Sequence, residues 1–310
     1  MRFAAGIEYV GTRYAGWQAQ KHARGVQAEI EAGLSSVAAA PIEVVCAGRT
    51  DAGVHGLGQV VHFDSPVQRP PHSWMLGANT RMPDDVAVRW VQAVDASFHA
   101  RYTAIGRRYR YVIHNARSRS ALWLNRAAWW TYPLDAGVMH QAGQALLGEH
   151  DFSSFRAAEC QSRTPWRRIE SLRVRRHGAF VIIDIQANAF VHHMVRNIAG
   201  TLMEIGQGKR DKASMADILS ARNRSAAGVT GPAGGLYFVE ALYPPPYHFP
   251  AADGDAVAAH LQHLRVRLDF LSSLLRFRLV FAEFEAEAFA QVADAFEPDC
   301  LREGMIYGYL

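Results

Sequence analysis

The sequence predicts an α+β protein whose two halves each set helices against a largely antiparallel sheet. Two observations carry this expectation. Alternating apolar and polar stretches recur in hairpin-like pairs, and stretches with apolar residues three and four apart lie between those pairs. No exact repeat links the halves, so a duplicated half is suggested by element order alone.

Taken in order, residues 3–9 alternate as a strand and residues 27–37 carry one apolar stripe, as a surface helix does. Residues 42–46 and 58–64 read as strands on either side of a glycine-rich loop; Val60, His62 and Asp64 share one face of the second, Val61 and Phe63 the other. A short helix over 70–79 and a strand over 86–92 follow. In residues 107–114 Tyr109, Tyr111 and Ile113 alternate with Arg108, Arg110 and Val112. Asp135 is placed to cap a helix running to Leu147, before Gly148. A strand through 172–175 turns at His177-Gly178 into a partner at 180–187. Val191, Val195, Ile198, Leu202 and Ile205 predict a helix over 191–205, and residues 235–242 form a closing strand. The run Pro244-Pro245-Pro246-Tyr247-His248-Phe249-Pro250 breaks the pattern. The expected division is therefore 1–105, 106–247, and an extension at 248–310.

Composition narrows the class. With 49% hydrophobic and 20% charged residues the 310-residue chain has globular composition. No apolar run is long enough for a membrane span, and the N-terminus lacks the apolar core of a signal peptide. Cys46, Cys160 and Cys300 are few, odd in number and far apart, which suits a reducing cytoplasm better than a disulfide framework. Charge is unevenly spread. Residues 1–250 hold 28 Lys+Arg against 19 Asp+Glu, a net +9, and residues 251–310 hold 5 against 10, a net −5. Only Lys21, Lys209 and Lys212 are lysines. Arginine offers a planar fork to phosphates and stacks on bases, so the basic part points weakly to nucleic acid.

The most informative stretch is Cys46-Ala47-Gly48-Arg49-Thr50-Asp51-Ala52-Gly53-Val54-His55-Gly56. Apolar strands bracket it, and its glycines let backbone approach a ligand closely. An aspartate there can act as acid, base or nucleophile. It is equally compatible with a solvated turn, because Asp and Gly dominate turns.

This stretch resembles the signature of the tRNA pseudouridine synthase A family, and the resemblance continues collinearly. Tyr9-Val10-Gly11 with Gly16-Trp17-Gln18, Arg107-Arg108-Tyr109-Arg110-Tyr111, Asp151-Phe152-Ser153-Ser154-Phe155, Ser162-Arg163-Thr164-Pro165-Trp166, Phe190-Val191-His192-His193-Met194-Val195-Arg196-Asn197 and Gly235-Leu236-Tyr237 match in order, over roughly residues 1–247. The resemblance implies the pseudouridine synthase fold, with two ferredoxin- or RRM-like halves. It also implies an isomerase that converts uridine to pseudouridine at positions 38, 39 and 40 of the tRNA anticodon arm. No metal or other cofactor is implied. A cytoplasmic homodimer sharing one tRNA is expected.

Residue roles follow from the same match. Asp51 corresponds to the family's nucleophile; whether it attacks base or sugar stays open. Tyr109 corresponds to the aromatic that stacks on the target uracil, although a core tyrosine is the plain reading of its strand. Arg196 would pair with Asp51 through charge-assisted hydrogen bonds, and Leu236 would wall the uracil pocket. A base inside a stem has to be flipped out at a cost of a few kcal/mol. Arg49 matches the arginine that enters the vacated space. Arg69, Phe98, His99, Ala100, Arg101, Tyr102, Arg117, Trp130, Glu159, Cys160, Gln161, Ser162 and Arg163 fall at the family's tRNA-contact positions.

Rival readings have less behind them. His192-His193 as adjacent residues on a helix would point apart, and neither HExxH nor a Cys pair accompanies them, so no metal site is expected. A phosphoryl-accepting Asp51 would need a second acid and Mg²⁺, and Thr50-Asp51-Ala52-Gly53 supplies no such acid. A tRNA-binding protein without catalysis would not need Asp51, Tyr109 and Arg196 together. Residues 251–310 match nothing in the family, but Val257, Leu261, Leu264, Leu268, Leu271 and Leu275 have helical spacing.

Overall fold

The alternating segments build one sheet whose centre joins the two halves of the chain. The structure, a computed structural model, describes residues 1–20 and 22–250. The expected helical extension at 251–310 lies outside the described residues.

The strands are β1 (Arg2–Tyr9), β2 (Val44–Cys46), β3 (His55–Asp64), β4 (Val86–Val94), β5 (Gly106–Asn115), β6 (Ala128–Trp130), β7 (Gly148–Asp151), β8 (Trp166–His177), β9 (Phe180–Ala187) and β10 (Leu236–Leu242). The helices are α1 (Val26–Ala38), α2 (Pro71–Asn79), α3 (Ala136–Gly143), α4 (Met194–Gly206) and α5 (Ser214–Ala221). The sheet order is β4-β1-β3-β10-β5-β9-β8-β7, with β2 on β3 and β6 on β5. Along the main path every pairing is antiparallel except one. β10 runs parallel to β3, with Tyr237 opposite His55 and Phe238 opposite Gly56, and antiparallel to β5 on its other side. The last strand of the chain's second half is thus wedged between the first half's β3 and the second half's β5.

The alternation decides which side chains are buried where. Phe3, Ile7, Val61 and Phe63 pack with Ile30, Leu34 and Trp74 of α1 and α2. Val60 faces the other side and joins the larger cluster of Tyr111, Ile113, Leu172, Ile183 and Ile185 with Met139, Ile198 and Leu202 of α3 and α4. This reproduces the two faces expected for residues 60–63.

Three boundaries differ from the pattern reading. β3 begins at His55, inside the glycine run, because Gly56 is where the Tyr9 ring packs: a Cβ there would lie 2.3 Å from that ring. The helix capped by Asp135 holds, with the carboxylate accepting from the Val138 N–H at 2.9 Å, but it tightens to a 3-10 turn at Gln144–Leu146. Most consequential is α4, which begins at Met194 and not at Val191. His193 has φ +62, a left-handed conformation that ends any helix running through it. β6 and β7, of three and four residues, are too short for alternation to reveal.

Candidate active site at the aspartate loop

Asp51 lies between β2 and β3, four residues before the parallel β3–β10 junction. The loop is fixed by its backbone. Thr50 accepts from Trp17 N–H at 3.0 Å, and its hydroxyl is 2.8 Å from the Tyr9 hydroxyl. Gly16 passes so close that a Cβ would sit 2.9 Å from the Thr50 carbonyl oxygen, and its φ of +100 suits glycine alone. Gln59, fully buried on β3, brackets Gly48 by accepting from its N–H and donating to its carbonyl. Arg107 donates to the Ala47 carbonyl at 3.0 Å and to the carbonyls of Ala104 and Asn188, tying the loop to β5 and β9.

His55, which closes the signature, is structural. Its Nδ1 accepts from Gly11 N–H at 3.1 Å, so the proton sits on Nε2 and is donated to the Asn125 carbonyl at 2.8 Å. The ring stacks on Tyr237 at 4.7 Å, and burial pushes its pKa down to about 4. It is therefore neutral at physiological pH.

Three polar side chains meet at the Asp51 carboxylate. Arg196 Nη1 lies 3.4 Å from Oδ2, while its Nε donates to the Gly231 carbonyl at 2.9 Å. His192 Nε2 lies 3.2 Å from Oδ1 and His193 Nε2 lies 3.3 Å from Oδ2. The expectation that these histidines point apart is corrected here. They precede α4, and the left-handed turn at His193 swings both rings onto one carboxylate with centroids 4.0 Å apart. Among the described residues, Asp51, His192 and His193 have ligand atoms within 4.8 Å of one another, close enough to hold a cation. The Arg196 guanidinium already holds one face of the carboxylate, and its charge opposes a metal ion there.

The surrounding cleft, about 1230 Å³, is lined by Arg49, Asp51, Tyr109, Leu236, Arg101, Tyr102, His192, His193 and Glu159–Ser162 among others. Tyr109 is almost wholly buried, held edge-on by Phe190 at 5.0 Å and Phe238 at 5.2 Å. Burial drives its phenol pKa up, which keeps the hydroxyl protonated at neutral pH. Leu236, the first residue of β10, is 5% exposed beside it. The 157–160 segment is held against the histidines by the Ala157 N–H bond to the His192 carbonyl and the His192 N–H bond to Cys160 Sγ.

Of the remaining expected contacts, Arg49, Arg101, Tyr102, Glu159 and Gln161 are exposed at the cleft, and Cys160 and Ser162 are half-buried there. Arg163 is exposed just beyond it. Phe98 and Ala100 are fully buried: Phe98 packs on Tyr243, Tyr247 and Phe249, and Ala100 N–H donates to His62 Nδ1. Their side chains cannot meet RNA in this conformation, and they serve instead to present half-buried His99 and exposed Arg101 and Tyr102. Arg69 is exposed and donates to the Val37 carbonyl at the end of α1; Arg117 is exposed and Trp130 half-buried beside β5. None of these three lines the cleft. Pattern reasoning missed Gln59 and Arg107 as loop clamps and His192 and His193 as carboxylate partners. The doubled histidine ahead of an apolar period was the one available signal.

A family model described as tRNA pseudouridine synthase matches residues 5–103 and 142–244, more than half of the chain. A relative named tRNA pseudouridine synthase A from Photorhabdus laumondii is 55% identical over 252 residues, covering 81% of this chain and 96% of that one. Relatives of the same name from Klebsiella pneumoniae strain 342 and Escherichia coli O1:K1 / APEC are 55% and 54% identical, each covering 80% of this chain and 92% of its own.

Proposed function

Because the chain belongs to the tRNA pseudouridine synthase family, we propose that it isomerises uridine to pseudouridine at positions 38, 39 and 40 of tRNA, with Asp51 as nucleophile. The single observation that carries the assignment is the placement of Asp51. A carboxylate ringed by Arg196, His192 and His193 opens into a cleft beside a buried, edge-clamped Tyr109. Such a cleft suits a flat, uncharged base stacked on one aromatic face with a nucleophile at its edge.

The remaining roles are assigned on the same reading. Tyr109 stacks on the flipped uracil and Leu236 walls it. Arg196, anchored on Gly231, holds the Asp51 carboxylate in orientation. Arg49 enters the space the base leaves. Arg101, Tyr102, His99, Glu159–Ser162 and Arg163 form the rim that meets the anticodon arm, with Arg69, Arg117 and Trp130 on more distant backbone contacts. The halves 1–105 and 106–247 act as two domains sharing the sheet. The protein works in the cytoplasm, and a homodimer is its working form. Among the described residues no helix is long and apolar enough to cross a membrane.

The test is release of tritium from C5-labelled uridine in tRNA, with the Asp51→Asn variant as control. Turnover by the wild-type chain at positions 38–40, and none by Asp51→Asn despite retained tRNA binding, is the expected outcome. Turnover by an Asp51→Asn preparation free of wild-type enzyme defeats the assignment.

A further inference from the structure

α4 carries a polar face that core packing does not account for. Asn197, Thr201 and Glu204 are buried, and with Gly200 they fall three and four residues apart along one side of the helix. Buried polar groups cost stability unless they are hydrogen-bonded, so each needs a partner. Those partners lie in the segment between α5 and β10 or are tied to it. Gly228 N–H donates to Thr201 Oγ1 at 2.9 Å, and Arg210, paired with Glu204 at 2.6 Å, donates to the Ala226 carbonyl. The fit is close: a Cβ on Gly200 would lie 1.7 Å from the Val229 carbonyl oxygen.

Asn197, next to Arg196 in the chain, makes the tie nearest the active site. Its Nδ2 donates to the Phe155 carbonyl at 2.8 Å, which leaves Oδ1 to accept from Thr230 Oγ1 at 2.7 Å and from Arg224 Nη2 at 3.1 Å. Arginine can only donate, so chemistry fixes which amide atom faces it. Arg224 also donates to Thr230 Oγ1 at 3.0 Å, closing a ring of three side chains. On the far side of Gly231, the fully buried Tyr111 hydroxyl donates to the Pro232 carbonyl at 2.9 Å. Gly231 is thus held through both of its neighbours. Only glycine fits there, since a Cβ would lie 2.5 Å from the Tyr111 hydroxyl.

We propose that Thr230 and Tyr111 are positioning residues of the isomerisation, fixing the Gly231 carbonyl that aims Arg196 at Asp51. The assignment rests on the function proposed above. Arg196 and Gly231 are bonded twice: Gly231 N–H donates to the Arg196 carbonyl, and Arg196 Nε donates to the Gly231 carbonyl, each at 2.9 Å. The guanidinium is planar and rigid, so the point where its Nε is held decides where Nη1 lies, 3.4 Å from Asp51 Oδ2. Neither Thr230 nor Tyr111 lines the cleft, so both act through Arg196 and not on the substrate.

The arrangement separates turnover from binding. If the Gly231 carbonyl shifts, the guanidinium follows its anchor and the Asp51 carboxylate loses its oriented donor. A misplacement of about 1 Å that starts far from the reacting atoms can cost on the order of a hundredfold in rate. The residues expected to meet RNA are carried elsewhere: Arg49 precedes Asp51 in its own loop, and Arg101 and Tyr102 precede β5. Loosening the segment between α5 and β10 leaves them in place.

The test uses Thr230→Val and Tyr111→Phe in the full chain, each of which removes a hydroxyl and keeps the shape of the side chain. Turnover and tRNA affinity are measured for each, with thermal melting to establish that the variant is folded. Thr230→Ser, which keeps the hydroxyl, is the conservative control, and both changes are repeated in Arg196→Lys. The expected result is kcat down at least about tenfold with tRNA affinity unchanged, Thr230→Ser within about threefold of wild type, and no further loss in Arg196→Lys. Should Thr230→Val fail to fold, Tyr111→Phe carries the test. Turnover within about threefold of wild type in either folded variant would overturn the proposal, as would Thr230→Ser as slow as Thr230→Val. Affinity falling in step with kcat overturns it too, by placing the segment on the RNA surface. So does a loss that multiplies with that of Arg196→Lys, which marks a route other than Arg196. Absence of pseudouridine formation by the wild-type chain is a different failure, and sinks the functional reading itself.

Discussion

Arg196 reaches Asp51 across 145 residues of chain, with Nη1 at 3.4 Å from Oδ2 and Nε anchored on the Gly231 carbonyl. One guanidinium thus does two things from one plane, which a single ammonium cannot. Arg196→Lys is therefore expected to lose roughly a hundredfold in kcat with little change in tRNA affinity, as for loss of one preorganised charged donor. Steady-state turnover with a parallel filter-binding measurement checks the split. An affinity loss as large as the kcat loss would place Arg196 on the RNA surface instead.

Tyr109 is expected to act through its ring. Tyr109→Phe keeps the edge-on contacts with Phe190 and Phe238 at 5.0 and 5.2 Å, so turnover should stay within about tenfold of wild type. Tyr109→Ala removes the platform and leaves a cavity in the core cluster. That change costs about 3–5 kcal/mol of stability by analogy with other large aromatic truncations, and turnover falls far more than for Phe. Equal damage from both variants would mean that the hydroxyl carries the function.

Much of this site was legible because its signals are local. Alternation placed Tyr109 and Arg107 on one strand, and the glycine run announced a tightly packed loop, in which a Cβ at Gly48 would lie 3.2 Å from the Phe238 ring. What stayed hidden depends on single backbone angles or on distant partners. The apolar period from Val191 to Ile205 continues smoothly through His193, so nothing in the pattern reveals its φ of +62. That angle turns a dismissed His-His pair into the carboxylate's partners. The parallel β3–β10 pairing joins residues about 180 apart in sequence and has no local signature. Phe98 and Ala100 show what a collinear match to contact positions leaves open. It says nothing about exposure, and both side chains are buried.

The basic body should bind tRNA in a strongly salt-dependent way, because each phosphate neutralised by arginine releases counterions. Arg49 and Arg101 sit at the cleft, Arg69 on the α1–α2 side, and all three are exposed. Arg69→Ala and Arg101→Ala are expected to weaken affinity and flatten the slope of log Kd against log salt by about one unit each. Arg49→Ala should reduce kcat more than affinity, since its role begins when the base leaves the stack. A normal turnover number for Arg49→Ala would refute that division.

His55 makes fold stability depend on pH. Its folded pKa, about 4, lies below the ordinary histidine value of about 6.5, so the unfolded chain binds more protons between those values. Its contribution is fully present above about pH 6.5 and is lost as pH falls toward 4, amounting to about 3 kcal/mol in that window. His62, also depressed to about 4 by burial, adds to the same trend. Chemical denaturation at pH 7, 6, 5 and 4.5 should show stability falling monotonically. In His55→Gln, a destabilised variant that cannot titrate there, the slope should be smaller; an unchanged slope would remove His55 from the account.

Residues 251–310 are expected to be dispensable for turnover. β10 completes the sheet at Leu242, and the family match ends at residue 244. The few residues beyond still matter to the body. Phe249 stacks on Trp90 at 4.9 Å, Tyr247 packs on Phe98 at 4.8 Å, and the Tyr247 hydroxyl donates to Asp95 at 2.7 Å. A chain stopped after Pro250 keeps these contacts, whereas one stopped after Tyr243 strips the cover from Phe98 and should melt lower. The net −5 of residues 251–310 opposes tRNA phosphates, so their removal should leave affinity unchanged or slightly tighter at low salt. Their leucine spacing calls for an apolar partner, because an isolated amphipathic helix is marginal in water. Comparing the two shortened chains with full length in turnover, melting temperature and sedimentation separates the possibilities. Turnover lost in a folded 1–250 chain refutes dispensability, a lower melting temperature locates the partner on the body, and a changed sedimentation coefficient beyond the mass lost locates it on a second copy.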